Sequence, residues 1–392
     1  MTRTALVIGG GIAGPATALA LQKAGIEPIV YEAHPAHADG VGGFLTLGTN
    51  GIEALRVLDV DERALAAGFP TPTITLRNSA GRCIGETPTG LATPPSHTLK
   101  RADLYAALRD KARARGICVE HGKRLVDARD SGGDVRAVFA DGSEAAGDVM
   151  VGADGVHSTL RRIVDPGAPA PAYSGLLGTG GYATGVPVEA PAGGFEMIFG
   201  ARAFFGYVAA PDGEVWWFAN VPRRPEPARG ELETTSEEWR RQLAALFGDD
   251  AGPAIPLLEG TPEIAPAGPI HTLAHLPSWR RGRLAVIGDA AHAPSPTSGQ
   301  GASLAIEDGV VLAKCLRDLP TAEGLARFEA LRRPRVERIV KSAARINSSK
   351  AAGPVGARLR DAMLPWILRL TADGKAHRET YGYRIEWESG AA

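Results

Sequence analysis

The sequence has few cysteines and no excess of charge of either sign. Its 392 residues include three cysteines, Cys83, Cys118 and Cys315, which form neither a CxxC pair nor a disulfide framework. Lysine and arginine total 43 against 44 aspartates and glutamates, for a net charge of −1. Without a basic field the chain lacks the attraction that draws proteins to nucleic acid or anionic lipid, so neither partner is expected. The isolated cysteines favour a reducing, cytoplasmic location.

Long apolar runs are missing too, and we expect no membrane span. The small and apolar residues near the N-terminus could be mistaken for a signal peptide. However, Gly9, Gly10, Gly11 and Gly14 lie at the centre of that run, where glycine is costly in a helix. With 44% hydrophobic and 22% charged residues, the composition is that of a globular protein long enough for two or three compact modules.

Several short apolar segments predict buried parallel strands. Residues 4–8, "TALVI", and 27–32, "EPIVYE", flank a run of small, helix-forming residues, which indicates a βαβ unit. The segments 148–153, "DVMVGA", and 283–287, "RLAVI", each lead directly into a Gly/Asp turn. Open α/β sheets bind ligands at such carboxyl ends of strands. We therefore predict an α/β (α+β) protein with a Rossmann-like domain.

The middle and the end of the chain have other patterns. Residues 195–222 are rich in aromatic and β-branched residues, which predicts antiparallel strands. A helix is predicted at 236–247, and helices return from residue 303 to about 349, with a break at Arg333-Pro334. The tail from 354 to 383 contains one more predicted helix.

The first motif is Gly9-x-Gly11-x-x-Gly14 between the first strand and its helix. These glycines permit a tight turn, close approach of the backbone to a pyrophosphate, and close packing of the helix on the strand. A phosphate would lie at the helix N-terminus, and Glu32, at the end of the second strand, could accept hydrogen bonds from a ribose. The alternative is a glycine-rich turn without a ligand.

Two further polar residues lie near predicted helix starts. Arg101 lies near the start of the helix predicted at 99–116, a poor place for a cation, which suggests an anionic or hydrogen-bonding partner. A solvated surface arginine is the plain alternative. Asp154 lies in "VGADGVHSTLRR", another strand, turn and helix, where it could bind a cofactor or simply cap the helix.

The stretch "GDAAHAPSPTSGQGASLAIEDG" follows an apolar strand. Asp289 could accept hydrogen bonds from a polyol chain, and two prolines stiffen the following loop. Gly299 and Gly301 would let the backbone approach a flat ring. The helix that begins near Ala302 would direct its positive end at that ring, where it would stabilise developing negative charge.

A hydrolase would use similar residue types, but the context does not support one. "GASLA" resembles a GxSxG elbow apart from Ala305, yet a proline-rich loop precedes Ser303 where a strand is needed. Asp289, His292 and Ser295 are too close in sequence to form a triad.

A metal site is not expected either. The histidine pairs His271 with His275, and His34 with His37, have no evident third ligand. Surface or core histidines are therefore the preferred interpretation. We expect no metal in the protein.

In this order, the motifs resemble those of the FAD-dependent class A aromatic hydroxylases, which include the para-hydroxybenzoate, salicylate and tetracycline-modifying monooxygenases. The resemblance extends from residue 4 to about 340. It implies that FAD is bound by Gly9, Gly11, Ile12, Ala13, Gly14, Glu32, Arg101, Leu125, Asp154, Asp289, Pro296, Gly299, Gly301 and Ala302.

The roles implied by the resemblance follow the cofactor along its length. Glu32 and the glycines would bind the ADP half, and the backbone near Leu125 would border the adenine. Arg101 would reach the middle of FAD, and Asp289 would hold the ribityl chain. Asp154 would serve both FAD and the nicotinamide cofactor.

The resemblance also implies a division of the chain and a substrate pocket. An FAD-binding domain would comprise 1–75, 98–168 and 276–350, an inserted, mostly antiparallel β-sheet substrate domain 76–97 and 169–275, and a helical tail 351–392. Together with the aromatic content of the middle segment, the resemblance predicts that the substrate pocket is lined by Phe44, Tyr182, Phe204, Phe205, Tyr207, Trp216, Trp217 and Pro294. Some of these aromatic residues could instead belong to the ordinary core.

The implied reaction uses NADPH or NADH and O₂ to hydroxylate an aromatic or polycyclic substrate through a flavin C4a-hydroperoxide. An epoxidase, a Baeyer-Villiger-type oxygenase and a non-catalytic flavin-binding protein remain alternatives. The chain could be a monomer or a homodimer. Two positions depart from the family pattern: Ser303 stands where Asn is usual, which puts a flavin contact in question, and no Arg follows Glu32.

Overall fold

The computed structural model describes residues 3–35, 43–228, 230–348, 361, 363–364 and 374–391. Within them the strands are β1 (Thr4–Ile8), β2 (Glu27–Glu32), β3 (Phe44–Leu47), β4 (Gly68–Pro70), β5 (Thr73–Asn78), β6 (Cys83–Pro88), β7 (His97–Lys100), β8 (Cys118–His121), β9 (Leu125–Asp130), β10 (Val135–Phe139), β11 (Glu144–Gly147), β12 (Val149–Gly152), β13 (Ala172–Ala183), β14 (Phe195–Phe199), β15 (Phe204–Ala209), β16 (Val215–Pro222), β17 (Gly268–Thr272), β18 (Arg280–Arg281) and β19 (Leu284–Val286).

The helices in the same residues are α1 (Ala13–Lys23), α2 (Thr49–Val57), α3 (Asp61–Ala66), α4 (Arg101–Ala114), α5 (Thr159–Val164), α6 (Ser236–Phe247), α7 (Ala254–Glu259), α8 (Gly301–Asp318), α9 (Thr321–Ser348) and α10 (Lys375–Tyr381). Two short 3₁₀ helices, Gly288–Ala290 and Pro296–Ser298, lie just before α8.

A six-stranded sheet forms the first layer of the fold, in the order β18-β19-β12-β1-β2-β8. All its pairs are parallel except β18 with β19. Ala5, Leu6 and Val7 in β1 are fully buried, so the side chains on both faces of this strand enter the core. The predicted strands at 4–8, 27–32, 148–153 and 283–287 are thereby confirmed.

A seven-stranded sheet forms the second layer, in the order β17-β13-β16-β15-β14-β5-β6. It is antiparallel except for β14 with β5, which confirms the antiparallel strands predicted at 195–222. The predicted helix at 236–247 is also confirmed as α6, which packs with α7 against one face of this sheet. Smaller three-stranded sheets, β11-β10-β9 and β3-β7-β4, complete the architecture.

The helical end of the chain corrects one expectation. The break predicted at Arg333-Pro334 is wrong, because α9 continues through Pro334. Arg332 and Arg335, on either side of the proline, make ion pairs with α8, so both halves of α9 are held against the same partner. The helix predicted within 354–383 lies mainly outside the described residues. Across the described part of the chain, none of the helices combines the length and apolarity needed to cross a membrane.

Candidate active site

The turn between β1 and α1 is shaped by glycine. Gly9 has a φ of +107°, and a Cβ there would lie 2.4 Å from the carbonyl oxygen of Ala153. A Cβ at Gly14 would lie 1.9 Å from the carbonyl oxygen of Gly9, so the helix can pack on the strand only without that carbon. At Gly11, by contrast, no described atom lies within 4 Å of an added Cβ. Gly11, just before α1, therefore borders open space, and the following Ile12 and Ala13 are half-buried.

Glu32 lies beside this turn at the carboxyl end of β2. Its carboxylate accepts hydrogen bonds from the backbone N–H groups of Gly10, at 2.6 Å, and His34, at 2.8 Å. The backbone carbonyl of Glu32 accepts a bond from Lys123 N at 2.8 Å, which brings the start of β9 at Leu125 to the same edge of the sheet. Glu32 thus lies between the glycine turn and the segment that leads into β9.

Asp289 follows β19 on the same edge of the sheet. Its side chain is exposed to solvent, although enough protein surrounds it for burial to raise the pKa of its carboxyl group, with His292 and Arg101 acting in the opposite direction. A carboxylate that is both accessible and surrounded lies in a cleft. Arg101, the first residue of α4, is close enough to interact with it electrostatically. The negatively charged Asp289 explains why the cationic Arg101 is tolerated at the start of α4.

The loop before α8 forms another wall of this cleft. Pro296 begins a 3₁₀ helix that ends at Gly299, whose φ is +60°. A Cβ at Gly299 would come no closer than 3.9 Å to Thr46 O, and one at Gly301 would come 4.0 Å from Pro294 Cγ. Both positions border open space, and the positive end of α8 begins there at Gly301, followed by the half-buried Ala302.

Two other predicted residues have contacts within the protein. The Asp154 carboxylate caps α5, accepting bonds from Ser158 Oγ, Thr159 N at 2.8 Å and Leu160 N at 3.1 Å. This matches the cap interpretation, and its role towards a cofactor stays a prediction. Ser303 is fully buried and its Oγ accepts a bond from Gly48 N at 3.3 Å. Its hydroxyl is thus directed towards the start of α2.

The aromatic residues of the seven-stranded sheet divide between its two faces. On the face towards β3, Phe44 lies 5.8 Å from Trp216 and 6.1 Å from Phe218, measured between ring centroids. Tyr182 lies 5.8 Å from Trp216, and Phe204 lies 6.0 Å from Phe218. We call this set the aromatic wall, which with Phe195 comprises Phe44, Tyr182, Phe195, Phe204, Trp216 and Phe218.

The opposite face carries Phe205, Tyr207 and Trp217, so the prediction that these three residues line the pocket needs correction. Trp217 stacks on Phe205 at 5.5 Å and donates a hydrogen bond to Thr261 Oγ1 at 2.7 Å. Tyr207 is buried in the same cluster, under α6 and α7. Side chains alternate along a strand, so Trp216 and Trp217 must face opposite ways. Phe205, Tyr207 and Trp217 therefore belong to the core.

One charged pair lies at the edge of the aromatic wall. Lys100 Nζ is 3.0 Å from Glu214 Oε2 and lies over the rings of Tyr182, at 4.5 Å, and Trp216, at 5.2 Å. Trp216 Nε1 donates to the same Glu214 oxygen at 2.6 Å. Burial raises the pKa of Tyr182 to about 12, so its hydroxyl is protonated at neutral pH. The wall thus combines flat apolar surface with one polar edge.

Comparison with known proteins assigns the fold. A model of the FAD binding domain family matches residues 2–343. The chain belongs to this family, the class A flavoprotein hydroxylases. The aurachin C monooxygenase/isomerase of Stigmatella aurantiaca is 32% identical to this chain over 354 residues, 88% of each protein. The 2-heptyl-3-hydroxy-4(1H)-quinolone synthase of Pseudomonas aeruginosa is 32% identical over 347 residues, 86% of this chain and 87% of that protein.

A solved structure agrees with this assignment. Klebsiella pneumoniae HpxO complexed with FAD and uric acid has a TM-score of 0.84 with this protein, at 25% identity, over 96% of this chain and 97% of that one. The protein is an FAD-dependent monooxygenase. Its own geometry suits FAD, because the open space at Gly11 accommodates close approach of a pyrophosphate and the accessible Asp289 carboxylate can accept hydrogen bonds from ribityl hydroxyls.

Sequence reasoning missed part of the candidate site. Phe218 lies at the centre of the aromatic wall but was not singled out, and strict alternation from Trp216 would have found it. His292 had no assigned role, and its Nε2 is 2.6 Å from Asp308 Oδ2. No local signal connects His292 with Asp308, because this contact joins a loop to the interior of α8.

Proposed function

We propose that the protein uses NADH or NADPH together with O₂ to hydroxylate a flat aromatic substrate that binds between the aromatic wall and the flavin. The observation that supports this proposal is the position of β3. Phe44 at its start belongs to the aromatic wall, and the carbonyl of Thr46, two residues later, faces Gly299 in the loop assigned to the flavin. One short strand therefore spans the distance between the substrate surface and the cofactor loop.

The chain supplies binding and electrostatics for this reaction. Bound FAD would provide the redox chemistry, taking a hydride from NAD(P)H and activating O₂ so that one oxygen atom enters the substrate and the other leaves as water. Gly11 and Glu32 would hold the ADP half, with Arg101 and Asp289 at the middle of the cofactor. The positive end of α8 would stabilise negative charge on the reduced ring. The aromatic wall would stack on the substrate and exclude water.

For the substrate we propose an uncharged, flat nitrogen heterocycle of at least two rings. The aromatic wall offers stacking area, and Lys100 with Glu214 offers a donor and an acceptor at its edge. Two relatives are named for aurachin C and for a 2-heptyl-3-hydroxy-4(1H)-quinolone, which supports a quinolone-like ring system. Relatives named for urate and for 3-amino-4-hydroxybenzoate supply the competing classes.

We propose that the domain division follows the two large sheets, with boundaries near residues 75, 98, 168 and 276. The six-stranded sheet carries Gly11, Glu32 and Asp289, and the seven-stranded sheet carries most of the aromatic wall. The substrate would then bind where the two meet, beside Phe44.

The test is substrate-dependent oxidation of NADH or NADPH, followed at 340 nm with the FAD-loaded protein. The panel comprises a 2-alkyl-4-quinolone, urate and 3-amino-4-hydroxybenzoate, and products are analysed by mass spectrometry under ¹⁸O₂. We expect the quinolone to accelerate oxidation and to acquire one ¹⁸O atom. Acceleration only by urate or the benzoate would refute the substrate class. Failure of both NADH and NADPH to reduce the bound flavin would refute the reaction itself.

A further inference from the structure

A buried ionic cluster lies directly behind the loop assigned to the flavin, residues 288–300, which we call the flavin loop. Glu307 and Asp308 are adjacent on α8, and Arg332 reaches both from α9, at 2.6 Å and 2.7 Å. All three side chains are fully buried. Arg335 adds a second cation, 2.9 Å from Glu307 Oε1. Charges so deep in a protein are tolerated only when paired, so each member constrains the others.

One arm of the cluster holds the start of the flavin loop. Asp308 Oδ2 accepts hydrogen bonds from Gly288 N at 3.0 Å and from His292 Nε2 at 2.6 Å. Although burial opposes ionisation, His292 and Arg332 lower the pKa of Asp308 to about 2. Asp308 is therefore a carboxylate at neutral pH, and it fixes the backbone immediately before Asp289.

The other arm reaches the end of the same loop through one side chain of α2. Asn50 Nδ2 is 2.5 Å from Glu307 Oε1 and 2.9 Å from Gln300 Oε1, so the amide connects the two. Asn50 is 1% exposed and Gln300 2% exposed. Gln300 is the residue before α8, between the left-handed Gly299 and the first helical residue, Gly301.

We propose that Asn50 is a positioning residue, which holds Gln300 so that the N-terminus of α8 stays directed at the flavin. Gly299 and Gly301 are conformationally free, so the glycines alone do not determine where these amides are directed. Glu307, itself held by two arginines, anchors Asn50 from behind. This role depends on FAD binding, and it does not depend on the proposed substrate or on the nicotinamide.

The test is Asn50→Ala, which removes the connection to Gln300 and leaves all the ion pairs in place. We expect the Kd for FAD to rise about fivefold. We also expect the equilibrium between oxidised and reduced bound flavin to shift about tenfold towards the oxidised form. This shift lowers the two-electron midpoint potential by about 30 mV. The sign follows because the positive helix end favours the anionic, reduced ring.

Thr49→Val is the matched control. Thr49 is also 1% exposed and lies next to Asn50 in the first turn of α2. It also makes two hydrogen bonds, to Pro94 O at 2.9 Å and from Leu91 N at 2.8 Å, and neither partner belongs to the connection between Glu307 and Gln300. We expect this variant to lose stability without changing the potential or the Kd for FAD.

Three results would overturn the proposal. The first is a wild-type potential and FAD affinity in Asn50→Ala, and the second is an equal change in Thr49→Val, which would indicate general loosening. Should Asn50→Ala not fold, Gln300→Leu removes the same bond from the other side and must lower the potential likewise. An unchanged potential there is the third refuting result. Where both variants fold, the double variant should change no more than either alone.

Discussion

Replacing Gly11 with alanine tests where the pyrophosphate of FAD binds. An added Cβ at Gly11 meets no described atom within 4 Å, and the φ of this residue lies outside the left-handed region. The apoprotein should therefore tolerate the methyl group, and reduced freedom of the unfolded chain should stabilise it by about 0.5 kcal/mol. In the FAD complex the same methyl would occupy the space through which the pyrophosphate approaches the backbone.

The cost to binding can be worked out from the contact that is lost. A hydrogen bond from a backbone N–H to a charged group contributes about 2 kcal/mol, so losing one should raise the Kd for FAD about 30-fold. The assay is the quenching of flavin fluorescence on titration of apoprotein, paired with urea unfolding of the apoprotein. Gly133→Ala is the matched control, because a Cβ there also meets nothing within 4 Å but lies in the turn between β9 and β10.

The expected pattern separates binding from folding. Gly11→Ala should bind FAD weakly while the apoprotein is as stable as wild type or slightly more so, and Gly133→Ala should bind FAD normally. Wild-type FAD affinity in Gly11→Ala would show that the pyrophosphate does not approach this residue, and the assignment of the open space would fail. Loss of apoprotein stability would show that the space is not open.

Three further predictions concern packing and charge. Ser303→Asn should lower the unfolding free energy of the apoprotein by about 2 kcal/mol in urea denaturation, because Ser303 Oγ already lies against Gly51 in α2 and leaves no room; unchanged stability would contradict the packing. Phe218→Ala should raise the KM for the aromatic substrate about tenfold. Trp217→Phe, on the opposite face of the sheet, should lower the unfolding free energy by about 2 kcal/mol in urea denaturation and leave KM unchanged. Equal effects of the two variants on KM would contradict the division of the aromatic residues between the faces. The pKa of Asp308 is about 2 in the folded protein against an ordinary 3.8, which predicts about 2 kcal/mol of stability that is present above pH 4 and lost as the pH falls towards 2. In urea unfolding across this range, the unfolding free energy of Asp308→Asn should depend less steeply on pH than that of the wild type.

Local patterns were sufficient for the nucleotide-binding half of the fold. The strand at 4–8, the glycines after it and the strand ending at Glu32 form one continuous βαβ unit, whose turn geometry depends on residues adjacent in sequence. The helix at 236–247 was located for the same reason, since its capping and its apolar periodicity are local. Family likeness then ordered the motifs along the chain.

The substrate side depended on information that no local pattern contains. Alternation along β16 shows that Trp216 and Trp217 face opposite ways, but it does not show which face α6 and α7 cover. The predicted pocket therefore mixed both faces. Likewise, the break predicted at Pro334 did not occur, because Arg332 and Arg335 hold α9 against α8 on both sides of the proline.

The sequence by itself determined the βαβ unit, the glycine turn and the stiff loop before α8, because each depends on conformational preferences of neighbouring residues. The tertiary structure decided what stands behind that loop. Asn50, Gln300, Glu307 and Arg332 come from separate elements, and their buried polar groups meet only because the fold packs these elements together. A buried charge needs a paired partner, and the fold can supply that partner from any part of the chain. The separation of two residues in the sequence therefore does not predict which charges will pair.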